Sequence, residues 1–227
     1  MKIIPVINCQ DFDCVKARIE LAQEFLCDHG SENRTVSSGG ERCWMHLDVA
    51  DGGFTNGYTT WRNPAELKSW RGDSHLAFEV HLMLTEPELS IESWLDAGVS
   101  RIIVHLETAT SIDTIAAMCA GRGVELWLAI APQTPAEKAF PYLPVVQGCQ
   151  VLAVEPGKAG QAMLPGSIEK IAAIRAAFPN IPIEVDGGIT PATVPACKAA
   201  GATQAVAGSA IFNATDPTAA YRDLCKE

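Results

Sequence analysis

Four side chains suited to metal binding and proton transfer stand at matching places in three short apolar runs. His46 and Asp48 lie two apart in WMHLDVA (44–50), His81 near the end of LAFEVHLM (76–83), and Asp186 at the last position of IPIEVD (181–186). Side chains alternate between the faces of a strand, so His46, Asp48 and Ala50 share one face while Met45, Leu47 and Val49 share the other. Burying ionisable groups together is costly unless they are paired or bind a cation. Two imidazoles and two carboxylates form an N2O2 set suited to one divalent ion, Zn²⁺ first, with Fe²⁺, Mn²⁺ or Co²⁺ as alternatives by ligand type. Such an ion would stabilise both carboxylates and keep both imidazoles neutral. The competing reading makes each histidine a hydrogen-bonded core residue and Asp186, before Gly-Gly, a turn former.

A second constellation suits phosphate. VEPGKAGQ (154–161) supplies Gly157, Gly160 and Gln161; VDGG (185–188) supplies Gly187 and Gly188; AGSAIF (207–212) supplies Gly208 and Ser209. Each follows a strand-like run, where glycine lets backbone N–H groups approach an anion and SAIF could open a short helix. Ordinary strand-to-helix turns are the alternative.

Placing these residues together requires a repeating scaffold, and strand-like runs alternate with helical patterns throughout. Strands are expected at 2–7, 44–50, 76–83, 101–105, 124–130, 150–154, 181–186 and 204–207, and helices at 11–29, 63–70, 87–97, 110–121, 135–141, 165–177, 191–200 and 216–225. Eight such pairs, roughly 28 residues each, match a single (β/α)8 TIM barrel over residues 1–227, whose functional face is the carboxyl end of its strands. Thr85-Glu86-Pro87, Thr134-Pro135, Thr190-Pro191 and Asp216-Pro217 offer cap chemistry at helix starts. The polar stretch 30–42 reads as an inserted loop, and His29 and His75 as surface residues. Glu79 and Glu184 share strand parity with His81 and Asp186, which places them deeper inside the barrel without an evident partner. His105 and Glu107 either line the mouth or form a local hydrogen-bonded pair.

The bulk composition narrows the partners. A net charge of −10, with no local basic patch, argues against nucleic acid and anionic lipid surfaces. No apolar run reaches the ~18 residues of a spanning helix, and the start of the chain does not read as a signal segment. Eight cysteines without a CxxC pair read as small core residues, so no disulfide and a reduced, cytoplasmic setting are expected. Cys9 could face the pocket rim.

The motifs MHLDVADGGF, VHLM, VHLE, LAIAPQTP, VEPGKAGQ, EVDGGI and GSAIF resemble, in order and approximate spacing, those of the ribulose-phosphate 3-epimerase family. The resemblance implies a (β/α)8 barrel with Zn²⁺ or Fe²⁺ on residues matching His46, Asp48, His81 and Asp186. Asp48 and Asp186 would serve as acid and base. It implies inversion of C3 of a ketose phosphate, D-ribulose 5-phosphate to D-xylulose 5-phosphate, through an enediolate stabilised by the metal. His81, Met83 and the glycine-rich turns would contact the substrate, and one carboxyl pKa should be raised so that it can hold a proton.

Departures surround the ligands: Val6 replaces a serine, Ala50 and Leu152 replace two lid methionines while Met83 remains, TNGY (55–58) replaces FVPN, and Lys158-Ala159-Gly160-Gln161 replaces FGGQ. These leave allulose 6-phosphate open as an alternative substrate, and a non-catalytic sugar-phosphate-binding barrel as an alternative function. Hexulose-phosphate synthases and their relatives need a lysine where Ala50 stands. Barrels of this kind often associate, which leaves a homo-oligomer open.

Overall fold

The computed structural model describes residues 1–26, 43–70 and 76–227. The expected 30–42 loop, residues 27–29 of the first expected helix, and His29 and His75 lie outside the described residues. Eight parallel strands close into a barrel in sequence order: β1 (Lys2–Ile7), β2 (Cys43–Ala50), β3 (Leu76–Met83), β4 (Arg101–His105), β5 (Glu125–Ile130), β6 (Gly148–Leu152), β7 (Ile183–Asp186) and β8 (Gln204–Ala207). The connecting helices are α1 (Phe12–Leu26), α2 (Pro64–Trp70), α3 (Glu88–Ala97), α4 (Ile112–Gly121), α5 (Ser167–Ala177) and α6 (Val194–Ala200). After β8 come the short α7 (Ser209–Phe212) and then α8 (Pro217–Lys226).

Strand alternation sorts the side chains into two layers. Ile3, Ile7, Met45, Leu47, Val80, Leu82, Ile102 and Val104 point outward and pack under the helices, where Ile19, Ile91, Trp94, Ile115 and Ile174 are buried. The inward positions carry polar and aromatic groups, and Ile103, Trp127 and Ala129 form a separate small cluster inside. Register then sets the neighbours at the carboxyl rim: Val6 pairs with His46, Asp48 with His81, Ala50 with Met83, and Leu152 with Asp186.

Two expectations are corrected. No α-helix covers 135–141: the segment forms two 3₁₀ turns, Ala136–Lys138 and Leu143–Val145. Pro141 and Pro144 interrupt the run, since proline cannot supply the N–H that a longer helix needs. Cys9 and Cys14 form a disulfide. The Cys14 N–H donates to Asp11 Oδ1 at 2.8 Å, and the turn so capped after β1 brings the two Cα atoms to 5.8 Å, within disulfide reach. Cys9 therefore has a covalent partner, and cysteine usage no longer argues for a compartment. Among the helix starts, Asp216 caps α8 by accepting from the Ala219 N–H at 2.9 Å. Pro87 at the start of α3 and Thr193 at the start of α6 have no such side-chain bond.

Candidate metal centre and active-site mouth

His46, Asp48, His81 and Asp186 meet just inside the carboxyl rim, where one ligand atom from each lies within 4.8 Å of all the others. His46 Nε2 and His81 Nδ1 each stand 3.4 Å from Asp48 Oδ1, and His81 Nδ1 stands 3.3 Å from an Asp186 oxygen. Both histidines are wholly buried. His46 Nε2, Asp48 Oδ1 and His81 Nδ1 are buried with no hydrogen-bond partner. Three orphaned lone-pair atoms facing one point are what a cation ligand set requires, because buried polar atoms otherwise find partners.

The other imidazole nitrogens explain why His46 Nε2 and His81 Nδ1 are free to bind. His46 Nδ1 donates to Glu79 Oε1 at 2.7 Å, which leaves Nε2 as the lone-pair nitrogen. His81 uses Nε2 toward His105 Nε2 at 2.8 Å, and His105 Nδ1 donates to Glu107 Oε2 at 3.0 Å. Charge favours a cation as well. Burial opposes ionisation of His46, yet the nearby Asp48 carboxylate and the hydrogen-bonded Glu79 push its pKa well above the usual histidine range. His81 moves upward for the same reason, with Asp186 and Asp48 outweighing burial. Asp48 goes down rather than up: burial raises it, but His46 and His81 overcome that. The expected upward shift of a carboxyl is therefore not seen at Asp48, because two imidazoles flank it.

Beneath the ligands lies the support that sequence left unpartnered. Arg101 forms a close ion pair with Glu79, donates to Glu125 Oε2 at 2.8 Å and Gln204 Oε1 at 3.1 Å, and lies between the Trp44 and Trp127 rings at 4.2 and 3.8 Å. Glu184 accepts from Gln150 Nε2 at 3.2 Å. Burial and the charge of Glu79 push the Glu184 carboxyl well above the usual carboxylate range. Glu79, already bonded to His46 and Arg101, belongs to this support and is not a free metal ligand.

Above the four residues opens a cleft of about 510 Å³, counting space open to solvent. Asp48 and Asp186 line it, as do the apolar Met83 and Leu152. Gly157, Gly160, Gln161, Gly187, Gly188, Gly208 and Ser209 all border it, so the expected phosphate set gathers in one place. Gln161 is already engaged: its Nε2 donates to the Glu155 and Lys158 carbonyls at 2.7 and 2.8 Å, closing its own loop. His46 and His81, both wholly buried, do not border it, so the expected substrate contact of His81 is not seen. Asn8, Tyr58 and Arg101 were missed in sequence. Parity alone pointed to Asn8, two residues after the inward Val6.

Fold and site together define a (β/α)8 barrel with two imidazoles and two carboxylates at its carboxyl rim, grouped closely enough to hold a metal ion. Residues 21–212 match the model of the ribulose-phosphate 3 epimerase family. The chain belongs to that family, and so is an isomerase of the epimerase type. Ribulose-phosphate 3-epimerase of Schizosaccharomyces pombe is 35% identical over 95% of this chain and 89% of its own length. The cytoplasmic isoform from Oryza sativa subsp. japonica is 33% identical over 87% of the chain and 86% of that protein. Among solved structures, 3-hexulose-6-phosphate synthase from Salmonella typhimurium superposes with a TM-score of 0.72 at 14% identity, covering 100% of this chain and 97% of that one. At that identity the likeness speaks for the fold alone. Among the described residues no helix is long and apolar enough to cross a membrane.

Proposed function

We propose that the chain epimerises C3 of a ketose phosphate, converting D-ribulose 5-phosphate to D-xylulose 5-phosphate in the cytoplasmic pentose phosphate pathway. The carrying observation is that Asp48 and Asp186 line one cleft together with Gly157, Gly160, Gly187, Gly188 and Gly208. His46, Asp48, His81 and Asp186 would hold one divalent ion, Zn²⁺ by ligand type. When bound, that ion supplies Lewis-acid stabilisation of negative charge developing on substrate oxygens.

The proton transfers belong to the carboxylates. In one direction Asp48 takes the C3 proton, the C–H electron pair moves into the adjacent carbonyl to give an enediolate, and the protonated Asp186 returns a proton to the opposite face of C3. In the reverse direction the two exchange roles. Met83 and Leu152 restrict water at the reacting carbon. The backbone N–H groups around Gly188, Gly208 and Ser209 would receive the phosphate, a neutral cradle compatible with an acidic chain.

Metal-analysed protein should exchange the C3 proton of ribulose 5-phosphate with deuterium from solvent and accumulate xylulose 5-phosphate. Exchange only with allulose 6-phosphate would move the substrate to six carbons. No exchange with either at full metal occupancy would leave a binding protein.

A further inference from the structure

Val6 cannot hydrogen-bond where the family resemblance implies a serine, but Asn8, the residue just past the end of β1, reaches the site. Its Nδ2 donates to Asp48 Oδ2 at 2.8 Å and to the Gly157 carbonyl at 3.2 Å. The Tyr58 hydroxyl donates to Asn8 Oδ1 at 2.5 Å. The orientation of the amide is thereby fixed: a flipped amide would set its oxygen against a carboxylate and its NH2 against a hydroxyl donor. The backbone there is anchored too. The Trp61 N–H donates to the Cys9 carbonyl at 2.7 Å, Arg18 reaches the Asn8 carbonyl at 3.4 Å, and the Cys9–Cys14 disulfide begins at the next residue.

The two oxygens of Asp48 are thus treated differently. Oδ1 is the buried, unpartnered atom between His46 and His81, while Oδ2 is tied to Asn8. Without that tie the carboxylate could rotate about Cβ–Cγ and exchange the two.

We propose that Asn8, oriented by Tyr58, is a positioning residue that fixes the Asp48 carboxylate, Oδ1 toward the ligand cluster, and links it to the Gly157 loop at the mouth. This rests on the reading of Asp48 as ion ligand and proton-transfer group. Tyr58 sits where this chain departs from the family motifs, and with Asn8 it supplies at Asp48 a hydrogen bond that Val6 cannot.

Cobalt(II) reports the ligand set without turnover. Wild-type protein should bind one Co²⁺ with visible d–d bands. Asn8→Leu, which keeps the bulk and removes the donor, should shift those bands and weaken Co²⁺ binding by about 10- to 100-fold. Its kcat should fall with KM nearly unchanged. Tyr58→Phe should give the same changes in smaller degree, about 3- to 10-fold, and the double variant should be no worse than Asn8→Leu alone, as expected of residues acting in series. Tyr58→Phe carries the test by itself if Asn8→Leu does not fold. Wild-type cobalt bands and affinity in the variants would overturn the positioning role while leaving the metal reading intact, as would losses that multiply in the double variant. Wild-type protein that takes up no cobalt would overturn both.

Discussion

The β1–β4 half of the barrel mouth is built of side chains and the β6–β8 half of backbone. In the first half Asn8, His46, Asp48, His81 and His105 each depend on a named partner, and the chain of partners descends through Glu79 to Arg101 near the barrel floor. In the second half the requirement is room. A Cβ on Gly188, where φ is +68°, would stand 2.3 Å from the Met163 backbone nitrogen, and one on Gly208 would stand 2.7 Å from Val6 Cγ1. One half is therefore vulnerable to losing a polar atom and the other to gaining a methyl group. Asp186 joins them, ending β7 immediately before Gly187 and Gly188.

The junction should show the largest effect. Asp186→Asn removes a proton carrier with little change of shape, and kcat should fall by about 10³- to 10⁴-fold; a steady-state assay with near-normal turnover would detach Asp186 from acid/base work. Next, Arg101→Met should break the side-chain half from below. Leaving Glu79 buried without its ion-pair partner, held only by the His46 ring N–H, should lower stability by about 3 to 5 kcal/mol, read as a lower urea midpoint together with weaker metal uptake. Gly188→Ala should break only the backbone half. Strain at positive φ and the clash at Met163 should cost about 2 kcal/mol, with KM for the phosphorylated ketose raised and metal stoichiometry unchanged; a parallel loss of metal would erase the distinction between the halves.

The smallest effect concerns acid stability. Burial tends to raise the Glu107 carboxyl, but the bond to His105 and donors from Thr134 and Ala131 hold it at about 2, below the ordinary 4.5. A carboxyl depressed by folding stabilises the protein above its unfolded pKa and loses that contribution as pH falls. The loss should run from about pH 4.5 down to about pH 2. Unfolding midpoints of Glu107→Gln should be flatter across that window than those of the wild-type protein.

The two halves also differ in how far sequence exposed them. Ionisable residues at period two inside apolar strands are conspicuous, so His46, Asp48, His81 and Asp186 could be read directly, and the glycines after β6, β7 and β8 marked the other half. What escaped notice depended on contacts between distant strands. Arg101 opens RIIVH and looks like a solvated strand end until the closed barrel places it between Trp44 and Trp127. Asn8 falls after the last residue of β1, and Tyr58 sits in a loop whose path no local pattern dictates. The Cys9–Cys14 bridge escaped because its spacing matches no familiar motif and its closure depends on the Asp11-capped turn. Thr134-Pro135 carried a plausible helix start, but Pro141 and Pro144 left too few residues for a helix.

The metal reading requires that three orphaned buried atoms and one Asp186 oxygen share a single divalent ion. Anomalous diffraction from crystals of catalytically active, zinc-loaded protein tests it most directly. The expected result is one strong peak bonded to His46 Nε2, Asp48 Oδ1, His81 Nδ1 and an Asp186 oxygen; active protein whose only bound zinc lies elsewhere, with these four side chains bonded to one another or to water, would contradict it.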